Sequence, residues 1–548
     1  MSYLQKSVSV TVCLFLTLGV SAQSKDFDFT KSMDIFMSAV NTLRTEYVDS
    51  LSTDKLIKYA LDGITENLDP YTEYVPAEMQ KDFDFQTTGK YAGIGSLIQK
   101  DSSWVIIANP YKNFPAYKAG LISGDRILEI DGQSIKGMSV EKVSNMLRGD
   151  ANTVVKIKVL KLKTGKTEDI SITREIIRLP SVPYFGIQKD GIGYIRLTSF
   201  ITDECASDVR NALKTMRATG NLKSLVLDLR GNPGGLLREA VRIVSLFVPK
   251  GTLVVSASGQ NKSLAHKYVT TEEPVEPDLP VVVMVDNSSA SASEIVSGAV
   301  QDLDRGLVVG THTYGKGYVQ NIKQLGYDAQ LKFTTSKYYI PSGRCVQAHN
   351  FTTRNSEGGV SFIPDSLKKE FKTKNGRKVY DGGGVTPDVV IKSDEYSPIA
   401  VSLLRRNLIF EYSLEYFKKH QNIDTPDKFE FTENDYRDFT AYLNGKEYDY
   451  QTVSEQLMKR LINSVKQEKY YDNAKAEIEK LAEFLKHDKL KDLKINEPEL
   501  VALLREEIIE RYYYEEGRVE AMLRNDRQFA EACNILANSV KYENLLKP

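Results

Sequence analysis

Leu279-Pro280-Val281-Val282-Val283-Met284-Val285-Asp286-Asn287-Ser288-Ser289-Ala290-Ser291-Ala292-Ser293-Glu294-Ile295-Val296-Ser297-Gly298-Ala299-Val300 is the stretch that decides the fold. The apolar run Leu279 to Val285 has the length and β-branched content of a strand buried on both faces. Small residues follow, and then a helix with Ile295, Val296, Ala299 and Val300 on one side. A second short strand, Leu307 to Val309, leads into Gly315-Lys316-Gly317. Strand, helix and strand in succession are the unit of an α/β fold. Serines at the mouth of the helix, with a lysine one helix–strand unit later, form a candidate nucleophile and base. Plainer readings stand beside this one. Ser291 and Glu294 fit a capping box, and a lone lysine is usually a solvated surface charge. The glycines on either side of Lys316 give it a permissive backbone, and the small residues leave room for a substrate backbone.

The same unit repeats upstream. Gly193 to Leu197 reads as a strand and Asp203 to Met216 as a helix. Leu225 to Arg230 is a buried strand, and after Gly231-Asn232-Pro233-Gly234-Gly235 comes a helix carrying Ala240, Ile243, Val244 and Phe247. A glycine loop between strand and helix invites a phosphate reading, but the Gly-Lys-Ser/Thr ending of a P-loop is missing. Taken together, Ser289-Ala290-Ser291-Ala292-Ser293-Glu294, Gln301-Asp302, Val308-Val309-Gly310, Tyr314-Gly315-Lys316-Gly317 and Gln320 resemble the carboxyl-terminal processing peptidases. The resemblance covers most of residues 60–395. It implies a Ser/Lys dyad, with Ser291 as nucleophile, Lys316 as base 25 residues later and Gln320 assisting. It also implies that the glycine loop is an oxyanion loop, with the N–H of Gly234 or Gly235 acting beside that of Ala292. The implied fold is α/β: a crotonase-like β/α spiral protease core with an inserted PDZ domain and helical N- and C-terminal regions.

Gly93-Ile94-Gly95, Ala119-Gly120-Leu121, Gly124-Asp125-Arg126-Ile127-Leu128 and Ile130-Asp131-Gly132 resemble a PDZ domain. Asp-Gly is a strong hairpin-turn dipeptide. Ser139 to Leu147 reads as a short helix with Val140, Val143 and Leu147 on one face. A PDZ domain takes a peptide as an added strand and holds its terminal carboxylate on backbone N–H groups. Gly93, Ile94 and Gly95 would supply those groups, and Val140 and Val143 would line the groove. The joint Thr173-Arg174-Glu175-Ile176 has no Gly/Ser linker. Arg174 there needs a partner however the domain is turned, unless it is a plain surface arginine.

The divisions read along the chain are a signal peptide at 1–22, a helical region at 24–86, the PDZ domain at 87–173, the protease core at 174–395 and a helical domain at 396–548. Phe36, Val40, Leu43 and Val48 mark the first helical region, and Leu68-Asp69-Pro70-Tyr71-Thr72-Glu73-Tyr74 closes it. Residues 351–379 are polar and read as an exposed loop. Leu457, Leu461, Ile462 and Val465 make a stripe in the tail, and Asn496-Glu497-Pro498-Glu499 opens another helix. An amphipathic bundle packed on its own protein is the plain reading of that tail. A homo-oligomer contact or an adaptor dock is the alternative.

With 72 basic and 73 acidic residues the net charge is −1, which argues against nucleic acid as a partner. Lys6, the apolar run Val8 to Val20 and Val20-Ser21-Ala22 read as a secretory signal cleaved after Ala22. An uncleaved anchor at the periphery of the inner membrane is the other reading. Cleavage leaves Cys205, Cys345 and Cys533, which is no disulfide framework. The five histidines and these cysteines show no metal spacing, so no cofactor is expected. The compartment is a periplasm or the outside of the cell, and the partners are protein or peptide substrates held by their C-terminal tails.

A lysine is a base only when neutral, against a reference pKa of about 10.4. The dyad therefore predicts Lys316 in a closed site beside Ser291, with Gln320 holding the amine. His312 offers a rival Ser/His pair. Retention of Ser291, Lys316 and Gln320 favours an endopeptidase over an inactive PDZ scaffold that merely binds C-termini.

Overall fold

The computed structural model describes residues 27–354, 359–392 and 395–548, so the signal-like segment and Cys13 lie outside the described residues. The chain forms two compact units. The smaller joins the N-terminal residues to Lys81 with Gln320–Thr335. Residues 27–46 and Thr53–Glu66 are helical. Of the stripe Phe36, Val40, Leu43 and Val48, the first two are half-buried and the last two exposed. The region read as helical to residue 86 is interrupted by a strand, Glu73–Val75. Its cause is Asp69, whose carboxylate accepts the N–H groups of Tyr71 and Thr72, both at 2.9 Å, and turns the chain at Pro70. The strand then pairs antiparallel with residues 330–332, Tyr74 opposite Leu331.

In the larger unit the PDZ segment is an antiparallel sheet of Ser96–Asp101, Trp104–Pro110, Arg126–Ile130, Val154–Leu160 and Thr167–Thr173, with the helix Val140–Leu147. Asp131 and Gly132 turn the chain with φ of 48° and 79°, as a two-residue hairpin turn requires. Arg174 is buried and needs nothing from the core. Its guanidinium donates to Leu147 O, Met146 O and Thr153 Oγ1, each at 3.0 Å, all inside the PDZ segment.

The core sheet runs in chain order: β1 (Tyr184–Ile187), β2 (Ile192–Arg196), β3 (Ser224–Asp228), β4 (Val281–Val285), β5 (Leu307–Gly310) and β6 (Val389–Val390). All pairs after the antiparallel β1–β2 are parallel. Helices α1 (Cys205–Ala218), α2 (Leu237–Val244) and α3 (Ala292–Asp302) cross between them. The unbroken apolar run of β4 is explained by layers on both faces. Val281, Val283 and Val285 point into one cluster with Ile243, Val244, Ile295 and Val296. Val282 and Met284 point into another with Phe529, Ala532 and Ile535. Alternation along a strand sends successive side chains to opposite faces. Full burial of one such side chain contributes roughly 1.5–3 kcal/mol.

The second layer comes from the tail. Helix α4 (Leu408–Lys419) and the first part of α5 (Glu497–Leu523) build a separate bundle core around Tyr412, Phe439, Leu504 and Ile508. The end of α5 with α6 (Arg527–Ala537) and α7 (Ser539–Leu545) covers the back of the core sheet. Arg511 of α5 also reaches the PDZ sheet, donating to Ala108 O at 2.9 Å and to Ser123 Oγ at 2.5 Å. The loop reading of residues 351–379 is corrected. His349–Arg354 pairs with Val360–Phe362, and Glu370–Lys372 with Lys378–Tyr380. Strands so short bury little, so no apolar alternation marks them in the sequence.

Candidate active site

Ser291 ends the turn between β4 and α3 with φ 55° and ψ −112°. A non-glycine residue in that region is strained, by about 1–3 kcal/mol, and such strain gathers at functional sites. A sharp strand-to-helix turn of this kind exposes a serine hydroxyl above a sheet. The turn is tied on several sides. Ser289 Oγ donates to Leu229 O at 2.8 Å. Asn232 O accepts from Ala290 N–H at 3.0 Å and Ser293 Oγ at 2.9 Å.

The glycine loop therefore lies directly against the serine turn. Asp286 Oδ1 accepts the Gly231 N–H at 2.9 Å, and Asn232 Nδ2 donates to Leu197 O at 2.8 Å. Gly234 has φ +95°, and a Cβ there would lie 2.8 Å from Ser291 Cβ and 2.9 Å from Ala292 N. Only glycine fits so close an approach. Gly234 was expected as a donor, but its N–H is already committed to Asn232 Oδ1 at 2.9 Å. The N–H groups of Gly235 and Ala292 have no acceptor among the described residues. Ala292 opens α3, where the first N–H groups have no partner within the helix.

Glu294 is the residue that sequence reading undervalued. It is wholly buried and carries out the reach-back half of a capping box, its Oε2 accepting the Ser291 N–H at 2.8 Å. The same oxygen accepts the Lys316 N–H at 2.9 Å. Its other oxygen accepts the Thr313 hydroxyl at 2.6 Å and the Gly315 N–H at 2.7 Å. One carboxylate thus joins the serine turn to the lysine loop, and the backbone nitrogens of Ser291 and Lys316 share an atom. Burial pushes this carboxyl up from its ordinary value, against the pull of the four donors. The signal was present in the sequence, an acid wedged between small residues and an Ile-Val pair.

Lys316 is half-buried, and its loop is fixed beyond Glu294 as well. Gly317 N–H donates to Gln347 Oε1 at 2.8 Å, Ala348 N–H to Gly315 O at 2.9 Å, and Tyr338 N–H to Gly317 O at 2.9 Å. His312, the rival base, is exposed, with Nδ1 3.4 Å from Thr386 Oγ1, and no hydrogen bond among the described residues joins it to Ser291. Gln320 belongs to the smaller unit, where its amide donates to Thr334 Oγ1 at 3.1 Å.

The residues read as a peptide groove lie in the PDZ segment. The carbonyls of Ile94 and Gly95 accept from Ala116 at 2.7 Å and Tyr111 at 3.0 Å, and the N–H groups of both lack an acceptor among the described residues. Gly95 has φ +70°, and a Cβ would meet that of Phe114 at 2.5 Å. Gly93 closes the strand Lys90–Gly93. Val140 is half-buried, whereas Val143 has no accessible surface and belongs to the PDZ core. Residues at i and i+3 share a helix face, but burial runs deeper along it than the sequence pattern alone tells.

Comparison with known proteins gives three family matches: Peptidase family S41 over residues 191–354, a PDZ domain over 106–161, and the C-terminal helical domain of probable PDZ-proteases over 399–536. The chain is 36% identical over 348 residues to a carboxy-terminal-processing protease of Bartonella bacilliformis, covering 62% of this chain and 79% of that one. It is 29% identical over 462 residues to a probable CtpA-like serine protease of Staphylococcus saprophyticus, covering 83% and 91%. Among solved structures it is similar to the photosystem II D1 C-terminal processing protease, at 25% identity, 65% and 92% coverage and a TM-score of 0.35.

Proposed function

Because the chain belongs to peptidase family S41 and is a serine-type C-terminal processing peptidase with a PDZ domain, we propose that it cleaves peptide bonds with Ser291 as nucleophile and Lys316 as general base. The observation that carries this reading is the single Glu294 oxygen bonded to both backbone N–H groups. A serine hydroxyl needs a neighbouring base, and the base must be held where the proton is. Neutral Lys316 takes the Ser291 proton as Oγ attacks the scissile carbonyl, then returns it to the departing amine. Water repeats the sequence on the acyl-enzyme.

The negative oxygen of the tetrahedral intermediate is assigned to the N–H groups of Gly235 and Ala292. Losing one such donor typically costs about 10²–10³-fold in kcat. Gly234 contributes space rather than a bond. The tail of the substrate is assigned to the loop Gly93-Ile94-Gly95, with Val140 beside it. The parallel order β2 to β6 with crossing helices supports the crotonase-like spiral. Residues 1–22 are read as an export signal, which places the enzyme in the periplasm or outside the cell. The test is cleavage of a model protein with an apolar C-terminus. Ser291→Ala and Lys316→Ala are each expected to abolish it while His312→Ala retains it. Near-full activity in Lys316→Ala with loss in His312→Ala would refute the dyad.

A further inference from the structure

Gly231, Gly234 and Gly235 take φ of +70°, +95° and +145° within five residues. Such a loop loses much chain entropy on ordering and has to be fixed from outside. Asn232 fixes its middle. Its base is Arg230, which is gripped from two directions. Asp228, at the buried end of β3, accepts from Arg230 Nε at 3.0 Å and Nη2 at 2.6 Å, and is itself held by Arg196 and Tyr194. From the tail, Asp526 Oδ2 lies 2.5 Å from Arg230 Nη2, and Gln528 Oε1 accepts from Nη1 at 3.0 Å. Gln528 is buried and anchored by its amide on Ile391 O at 2.7 Å. Asp526 caps α6 and is nearly enclosed.

We propose that Asp526 and Gln528 are positioning residues for catalysis, holding Arg230 and through it the glycine loop where the Gly235 N–H meets the developing oxyanion. This rests on the reading of Ser291 as nucleophile and of Gly235 and Ala292 as oxyanion donors. On this account the C-terminal helices are part of the catalytic apparatus, although they supply no reacting group. The guanidinium fork suits this duty because it bonds carboxylate and amide partners at once in one plane.

The test uses Asp526→Asn in the full chain. Asparagine caps a helix about as well as aspartate, so the bond from Phe529 N–H, 2.9 Å in the native protein, is kept while Arg230 loses its tail-side anion and keeps Asp228. Active sites are titrated with a serine-reactive reagent, so that unfolded protein does not count. The kcat per titrated site is expected to fall about 10–100-fold, the scale of an ångström-sized misplacement, with KM unchanged. Affinity for a peptidyl aldehyde, which forms the oxyanion, falls in parallel, while affinity for a non-covalent tail peptide does not. Gln528→Met, measured the same way, is expected to show a smaller fall of the same kind. Unchanged kcat per site in both variants, whatever their melting temperatures, overturns the proposal. Persistent cleavage by Ser291→Ala would instead remove the reading beneath it.

Discussion

Replacing Glu294 by glutamine removes one charge and almost no volume, and its effect follows from counting donors. The native carboxylate accepts four bonds in a fully buried site. A glutamine offers one carbonyl oxygen, which takes two. Set toward Ser291 and Lys316, that oxygen turns its amide toward Thr313 and Gly315. The Thr313 hydroxyl is able to accept, although it already takes the Val385 N–H at 2.7 Å. The Gly315 N–H then faces another donor. One charge-assisted bond is lost and the rest are weakened, which together costs about 3–5 kcal/mol. A domain of this size loses about 2–4 °C of Tm per kcal/mol, so a fall of roughly 10 °C is expected. Catalysis is expected to fall further, by about 10²-fold, because in the proposed mechanism the weakened bonds to the Ser291 and Lys316 N–H groups loosen the registry of nucleophile and base. The assay is kcat/KM on an internally quenched peptide beside calorimetric Tm on the same preparation. A lowered Tm with unchanged kcat/KM would refute the joining role and leave Glu294 a structural acid.

Gly234→Ala is expected to reduce activity at least 10²-fold, since its Cβ would press on Ser291 Cβ at 2.8 Å and leave φ strained; steady-state kinetics checks this. Phe529→Ala, which empties the place against Tyr194 (ring centroids 5.3 Å apart), should destabilise by about 3–5 kcal/mol in urea unfolding. Burial pushes the Glu506 carboxyl up to about 7. A raised folded-state pKa gives stability that is full below the ordinary value near 4.5 and is lost as pH rises through about 7. Tm should therefore fall between pH 5 and 8 by an amount that shrinks in Glu506→Gln, and an identical slope in both proteins would contradict this.

What was legible in the sequence was what period and punctuation encode. The apolar run before Asn287 and the glycines of 231–235 mark strand ends and turns, and the α/β order follows from them. The resemblance supplied the family. That the tail packs on its own protein was legible, but the surface it covers was not, because Phe529, Ala532 and Ile535 look like any amphipathic stripe and nothing local names what they cover. Glu294 was read as a cap because a capping box accounts for one of its four bonds. The other three come from residues 313–316, brought near only by the fold. The commitment of the Gly234 N–H to Asn232 and the enclosure of Val143 are likewise packing outcomes.

The layer behind the sheet also sets a clock. A chain emerges N-terminus first, at roughly 5–20 residues per second. The PDZ sheet pairs strands close in sequence and can close early. The face of β4 formed by Val282 and Met284 must wait for Phe529, Ala532 and Tyr542. Roughly 10–50 s then separate the synthesis of Ser291 from completion of its sheet at those rates. Once Gln320 has been made, the nascent protein carries every proposed catalytic residue for the rest of that interval without the support that aligns them. Chains stopped after residue 395 are expected to be inert toward peptides, and activity in such a fragment would refute the delay.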